Sequence, residues 1–276
     1  MPTDLPITRL TPPTGWTRLN LGELRDYHEL VLFLVWRDVK VRYKQTTLGV
    51  AWALIQPLLT MIVFAVIFGR IAKLPSEGVP YPLFTLAGLL PWQMFAASLN
   101  GSANSLVGSA GLVTKVYFPR LVIPLASVAG TLVDFAISFV LLLGMMAYYQ
   151  AWPTANVVYL PLFVLWALAA AFGVGLWFSA LNVRFRDVQY VLPFLMQVWL
   201  FASPVAYSAS LVTSPAGRLV YGLNPMAGIV QGFRWALLGA APPGAWIGVS
   251  LVMTGLVVAG GVLFFKRMEQ SFADVI

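Results

Sequence analysis

Residues 36–68 read WRDVKVRYKQTTLGVAWALIQPLLTMIVFAVIF, a basic run leading directly into an uncharged apolar stretch. Crossing a bilayer takes about 20 mostly apolar residues, so residues 48–68 are read as a transmembrane helix. Cations crowd the cytoplasmic end of such helices, so the quoted stretch predicts both a span and its direction. Reading outward between charged residues gives five more spans: about 82–103, 121–149, 157–181, one within 188–217 that ends near Tyr207, and 245–265. The polar tail of the second span, with Asn100, Ser102, Asn104 and Ser105, is unsuited to lipid and is expected to face protein.

Whole-chain composition agrees with this reading. Of 276 residues, 59% are hydrophobic and 10% charged, and mean hydropathy is +0.82; a soluble domain would carry roughly 25% charge. Cysteine is absent and there is one histidine, which removes disulfide frameworks, thiol nucleophiles and Cys/His zinc sites. The expected fold is an all-α polytopic membrane protein: a cytoplasmic N-terminal arm over 1–47 and a transmembrane domain over 48–276.

Residues 219–238 are apolar but carry Gly222, Asn224-Pro225, Gly228, Gln231, Gly232 and Arg234. Such a sequence suits two half-helices that dip in and return, since irregular backbone at membrane depth survives only where protein or water covers it. A full crossing there would make seven spans and put Lys266 and Arg267 outside. With six spans, Arg9, Arg18, Arg25, Arg37, Lys40, Arg42, Lys44, Lys115, Arg120, Arg184, Arg186, Lys266 and Arg267 all lie inside, leaving Arg70, Lys73, Arg218 and Arg234 outside. Six spans with both termini cytoplasmic is the expectation. The formal charge of +7 then marks one membrane face and gives no ground for a nucleic-acid partner.

Within the arm, Leu32, Val35, Trp36, Val39 and Tyr43 share one helical arc, with Arg37, Lys40 and Lys44 beside it. An apolar stripe edged by aromatic and basic side chains predicts an amphipathic interfacial helix in contact with membrane lipids. Two roles stay open: an anchor that only sets topology, or a site where Arg37, Lys40, Arg42 and Lys44 hold a phosphorylated lipid headgroup.

The run Trp36-Arg37-Asp38-Val39-Lys40-Val41-Arg42-Tyr43-Lys44-Gln45-Thr46-Thr47-Leu48-Gly49, with Trp52 and Gln56-Pro57 after it, resembles the opening of the membrane subunit of polysaccharide ABC exporters of the ABC-2 type. Phe68-Gly69, Tyr81-Pro82, Leu90-Pro91-Trp92, Lys115-Val116-Tyr117-Phe118-Pro119-Arg120, Arg186-Asp187, Ser203-Pro204 and Asn224-Pro225-Met226 extend the resemblance over most of the chain. It implies a homodimer resting on a separate cytoplasmic ATP-binding subunit, with ATP and Mg²⁺ held there and no cofactor on this chain. The cargo it implies is a polyprenyl-diphosphate-linked polysaccharide of the O-antigen, capsule or teichoic acid kind, exported across the bacterial inner membrane. The sequence contains no Gly-x-x-x-x-Gly-Lys-[Ser/Thr] phosphate loop. By the same resemblance Lys115, Tyr117, Phe118, Pro119 and Arg120 form the segment that couples to the ATPase, with Tyr117 and Phe118 as anchors for its groove. Gln231, Arg234 and Trp235 would gate the exit, although Arg234 could equally snorkel to outer headgroups.

Sugars present C–H faces and hydroxyl edges, which suit aromatic and amide side chains. Tyr190, Phe194, Gln197, Phe201 and Ser208 fall in one arc of the fifth span, and Trp52 and Gln56 share a face of the first, so these residues are the expected conduit lining; lipid contact or packing is the competing account. Asp134 lies mid-span, where an acid is a functional candidate; a structural role, protonated or bonded to a neighbour such as Ser138, is the alternative. A membrane enzyme would need converging acids or histidines, and these are scattered. An ion-coupled transporter would need inverted repeats or several intramembrane ionisable groups, and an ABC-2 exporter of drugs or simple lipids differs from the reading above in cargo alone.

Overall fold

The computed structural model describes residues 26–44, 49–212, 214–269 and 272. The arm before residue 26, the junction at 45–48 where the first span was expected to begin, and the extreme C-terminus lie outside the described residues. Among the described residues ten α-helices follow in order: α1 (His28–Lys44), α2 (Gly49–Phe64, running on through a π-helical Ala65–Ile71), α3 (Tyr81–Gly108), α4 (Ala110–Lys115), α5 (Val122–Tyr148), α6 (Leu160–Arg184), α7 (Val188–Ala202), α8 (Pro215–Gly222), α9 (Pro225–Leu238) and α10 (Ile247–Glu269). No strand occurs among the described residues.

Among the described residues five helical stretches are long and apolar enough to span: Val50–Ile71, Tyr81–Gly108, Val122–Tyr148, Ala155–Arg184 and Ile247–Glu269. The fifth expected span is shorter than its sequence suggests. Helix α7 has 15 residues, about 22 Å at 1.5 Å each, and it stops at Ala202 rather than near Tyr207. Pro204 has no N–H to continue the ladder and forces Ser203 into an extended conformation (φ −103°, ψ 149°). The chain from Ser203 to Ala206 is nonetheless buried, so part of this passage is irregular backbone.

Helix α3 is the hub, packed against α2, α5, α6, α7 and α9. Its polar tail partly turns inward: Ser98 and Thr131 share a 2.6 Å hydrogen bond, Asn182 Nδ2 donates to the Ala103 carbonyl at 3.1 Å, and Ser102 lies against Gly175. Asn100 and Asn104 remain exposed.

The region between the fifth and sixth spans is a pair of half-helices. Asn224 separates them, accepting the Met226 N–H at 3.0 Å as the α9 N-cap, with Pro225 in the first turn. Trp199 Nε1 donates to the same carboxamide oxygen at 2.9 Å, and Asn224 Nδ2 donates to Ser203 Oγ at 2.9 Å. Helix α9 is about 21 Å long by its 14 residues, and Gly232 lets it press on Phe163, whose ring occupies the space that a Cβ would need.

A second, smaller core gathers at one end of the bundle. Leu34 of α1, Phe118 and Leu121–Ile123 from the α4–α5 loop region, Val183 at the end of α6, and Phe265 and Phe272 at and beyond the end of α10 pack together. Leu34 and Phe265 therefore lie at the same end, as an even number of passes between them requires.

Candidate functional site

A cavity of about 460 Å³ opens between α1, α2, α3 and α5. Arg42 and Tyr43 line it from α1; Trp52, Ala53, Gln56 and Pro57 from α2; Leu90, Gln93, Met94 and Ala97 from α3; and Thr131, Asp134, Phe135 and Ser138 from α5. Its walls are mostly apolar, with two carboxamides, one cation and one acid set among them.

Asp134 is the polar centre. Arg42 Nη1 and Tyr43 Oη both donate to its carboxylate. Ser138, its expected partner, does something else: its hydroxyl donates to the backbone carbonyls of Asp134 (2.9 Å) and Ala53 (3.0 Å), tying α5 to α2. Burial raises the Tyr43 phenol above its ordinary pKa against the opposing pull of Arg42, so Tyr43 stays a hydrogen-bond donor. Asp134 lies twelve residues into α5, about 18 Å along its axis. Helix α1 therefore leans along α5 with Leu30, Val31, Leu34 and Val35 turned inward, while Leu32 and Trp36 of the expected apolar arc are exposed to the outside.

The four basic residues of α1 are not brought together. Arg37 pairs with its neighbour Asp38 at 2.8 Å and borders a separate polar cleft of about 220 Å³ with Asn104, Ser105, Ser109 and Ser127. Lys40 Nζ sits 4.2 Å from the Trp36 ring centroid. Lys44 is exposed. Of the four, Arg42 is the one that lines the cavity.

Trp52 and Gln56 line the cavity, whereas Tyr190, Phe194, Gln197 and Phe201 share an exposed outer face of α7 that does not reach it. Ser208 leaves this group: the helix ends six residues before it, and its buried hydroxyl donates to the Glu77 carboxylate. Trp199, on the opposite face of α7, packs edge-on against Phe95 at 5.1 Å.

In the α4–α5 loop, Lys115 and Tyr117 are exposed, Tyr117 by 80%. Phe118 is not a free anchor; it is 5% exposed within the second core. Pro119 turns the chain, and Arg120 is fastened to the end of α10, its N–H donating to Glu269 Oε1 at 3.1 Å and its guanidinium to the Glu269 carbonyl. Lys266 holds the same carboxylate at 2.8 Å.

Arg234 does not snorkel, because it is fully buried. Its guanidinium donates to the carbonyls of Pro204 (2.6 Å), Val205 (2.7 Å), Tyr207 (3.2 Å) and Phe84 (3.2 Å), and it stacks 3.5 Å from the Phe84 ring centroid. It thus satisfies the irregular backbone left where α7 breaks. Gln231 is also buried, donating to Ala241 O at 3.1 Å, and Trp235 stacks on Tyr159 at 5.5 Å.

A helical bundle with one amphipathic cavity, a broken fifth span and a re-entrant pair defines a multi-pass membrane protein of the transporter class. The chain belongs to the ABC-2 type transporter family, which it matches over residues 29–238. It is 34% identical over 92% of its length to the O-antigen export system permease protein RfbA of Myxococcus xanthus, covering 98% of that protein. The RfbA permease of Klebsiella pneumoniae is 28% identical over 94% of this chain and 98% of its own length. The polysialic acid transport protein KpsM of Escherichia coli is 26% identical over 87% of this chain and 93% of its own.

Proposed function

We propose that this chain is the membrane subunit of an exporter of lipid-linked polysaccharide in the bacterial inner membrane, with both termini cytoplasmic. It would work as a homodimer, with ATP and Mg²⁺ bound on a separate cytoplasmic subunit that meets the exposed Lys115 and Tyr117. The observation that carries the cargo is the cavity: the Arg42 guanidinium that lines it suits a diphosphate, Trp52 and Phe135 suit prenyl or sugar faces, and Gln56 and Gln93 suit hydroxyls. The names of the O-antigen and polysialic acid relatives support the same cargo class.

In the proposed cycle the lipid diphosphate is met by the basic residues of α1, with Arg42 innermost. The glycan passes along Trp52 and Gln56 and, across the pair of subunits, along Tyr190, Phe194, Gln197 and Phe201. Nucleotide-driven motion enters at the α4–α5 loop, while Gln231, Arg234 and Trp235 shape the far end. Neutralising Arg37, Lys40, Arg42 and Lys44 together in the assembled complex tests this. Loss of lipid-diphosphate-stimulated ATP hydrolysis with assembly intact is the expected result; loss of assembly instead would make these residues topological anchors.

A further inference from the structure

Asp134 is the feature of the cavity that the export reading leaves unused, and it faces Arg42, the innermost cation of that reading. The two side chains come together across 92 residues of sequence, from α1 and from the middle of α5. An acid at that depth is costly unless paired, which accounts for its having two donors. It does not account for the pair's position. Neither side chain is shut away: Arg42 is 43% and Asp134 27% exposed, and both line the cavity. A purely structural ion pair gains nothing from standing open to a binding space, whereas an exchangeable one must.

We propose that Asp134 is a resident counter-ion for Arg42, displaced when an anionic phosphate headgroup enters the cavity, and that it thereby tempers the preference for diphosphate-bearing over neutral lipids that Arg42 gives the cavity. This rests on the export reading and adds a residue that tunes the affinity for the headgroup. The planar guanidinium pairs a carboxylate or a phosphate through the same fork, so the headgroup takes the place of the carboxylate oxygens. Tyr43 bonds Asp134 independently, so the acid keeps one donor when Arg42 turns to the ligand. A neutral lipid offers Arg42 nothing in exchange and leaves the pair closed. The carboxylate therefore weakens diphosphate binding by competing for the Arg42 guanidinium.

The test uses the full complex with its ATP-binding subunit in nanodiscs, with undecaprenyl diphosphate and undecaprenol as probes and the half-saturating concentration as the readout. Asp134→Asn keeps the shape and the Tyr43 hydrogen bond but removes the competing charge. It should lower half-saturation by undecaprenyl diphosphate about fivefold, the scale of a partly exposed ion pair, and leave undecaprenol unchanged. Arg42→Gln should erase the difference between the two lipids, and adding Asp134→Asn to it should change nothing further. An unchanged or weaker diphosphate affinity in Asp134→Asn, or a fivefold gain that persists without Arg42, overturns the proposal. Should the Asn variant fail to assemble, Arg42→Lys examines the contact from the other side. A lysine pairs Asp134 as a point charge but cannot fork a phosphate, so the diphosphate preference should fall, and an unchanged preference overturns the proposal. A flat affinity ratio in cells whose surface polysaccharide still depends on this chain refutes the counter-ion role alone; surface polysaccharide independent of the chain refutes the export reading itself.

Discussion

Replacing Arg234 with methionine tests whether one side chain holds the broken fifth span in place. Methionine fills the volume and keeps an apolar contact with Phe84, but it withdraws every donor from the carbonyls of Phe84, Pro204, Val205 and Tyr207. Each buried acceptor left unsatisfied costs about 1–3 kcal/mol. Relaxation and added water will recover part of this, so a net loss of about 4 kcal/mol is expected, close to the low end of the entire stability of a folded domain. At roughly 2–4 °C per kcal/mol for a chain of this size, the unfolding midpoint in detergent should fall by about 10 °C. Arg234→Lys should land between, because three donors on one ammonium cannot reach four divergent carbonyls. The chain has no cysteine, so Ser203→Cys, at a fully buried position beside the break, gives a single thiol whose labelling rate reports opening of this segment. That thiol should be inert with Arg234 present and react in the methionine variant well below the midpoint. A midpoint within about 2 °C of the parent, together with a thiol at position 203 that stays inert, would refute the assignment.

Two further outcomes follow from the placement of the other site residues. Single cysteines at Gln56 and Gln197 should react with aqueous thiol reagents in the active complex while Ser208→Cys stays unreactive, and a reactive thiol at 208 would break its assignment to the Glu77 contact. In the α4–α5 loop, Tyr117→Ala should weaken binding of the ATP-binding subunit by about 2 kcal/mol without moving the unfolding midpoint, as for an exposed aromatic anchor, whereas Phe118→Ala should lower the midpoint through a loss of about 3–5 kcal/mol from the second core. Titrating the purified partner against each variant, alongside thermal unfolding, separates the two.

The sequence makes the spans legible because lipid imposes a length and a polarity on each helix independently of the others. Intervals between charges therefore located α2, α3, α5, α6 and α10, and Asn224-Pro225 with the nearby glycines marked the re-entrant pair. Where α7 ends was readable too, in Ser203-Pro204, but apolar content through Tyr207 outweighed that local signal. The site was legible only by type. Periodicity placed Leu32, Val35 and Trp36 on one arc and suggested a stripe facing lipid; Leu32 and Trp36 are exposed on the outer surface, while Val35 packs with the buried Leu34 against the second core, because a helix beside lipid gains little from hiding apolar residues and is oriented by its polar contacts. Those contacts join Arg42 to Asp134, Arg120 to Glu269, Arg234 to the Pro204 region and Ser208 to Glu77, with separations of 92, 149, 30 and 131 residues. No period or motif encodes such pairings, since each is created when two helices pack and the low dielectric between them requires a partner for every charge. What one chain does display is the unmet requirement: an arginine in an apolar re-entrant segment and an acid in mid-span each announce a partner without naming it. In this fold both partners sit where the helical regularity of the bundle is broken or open, at the end of α7 and at the cavity beside α1.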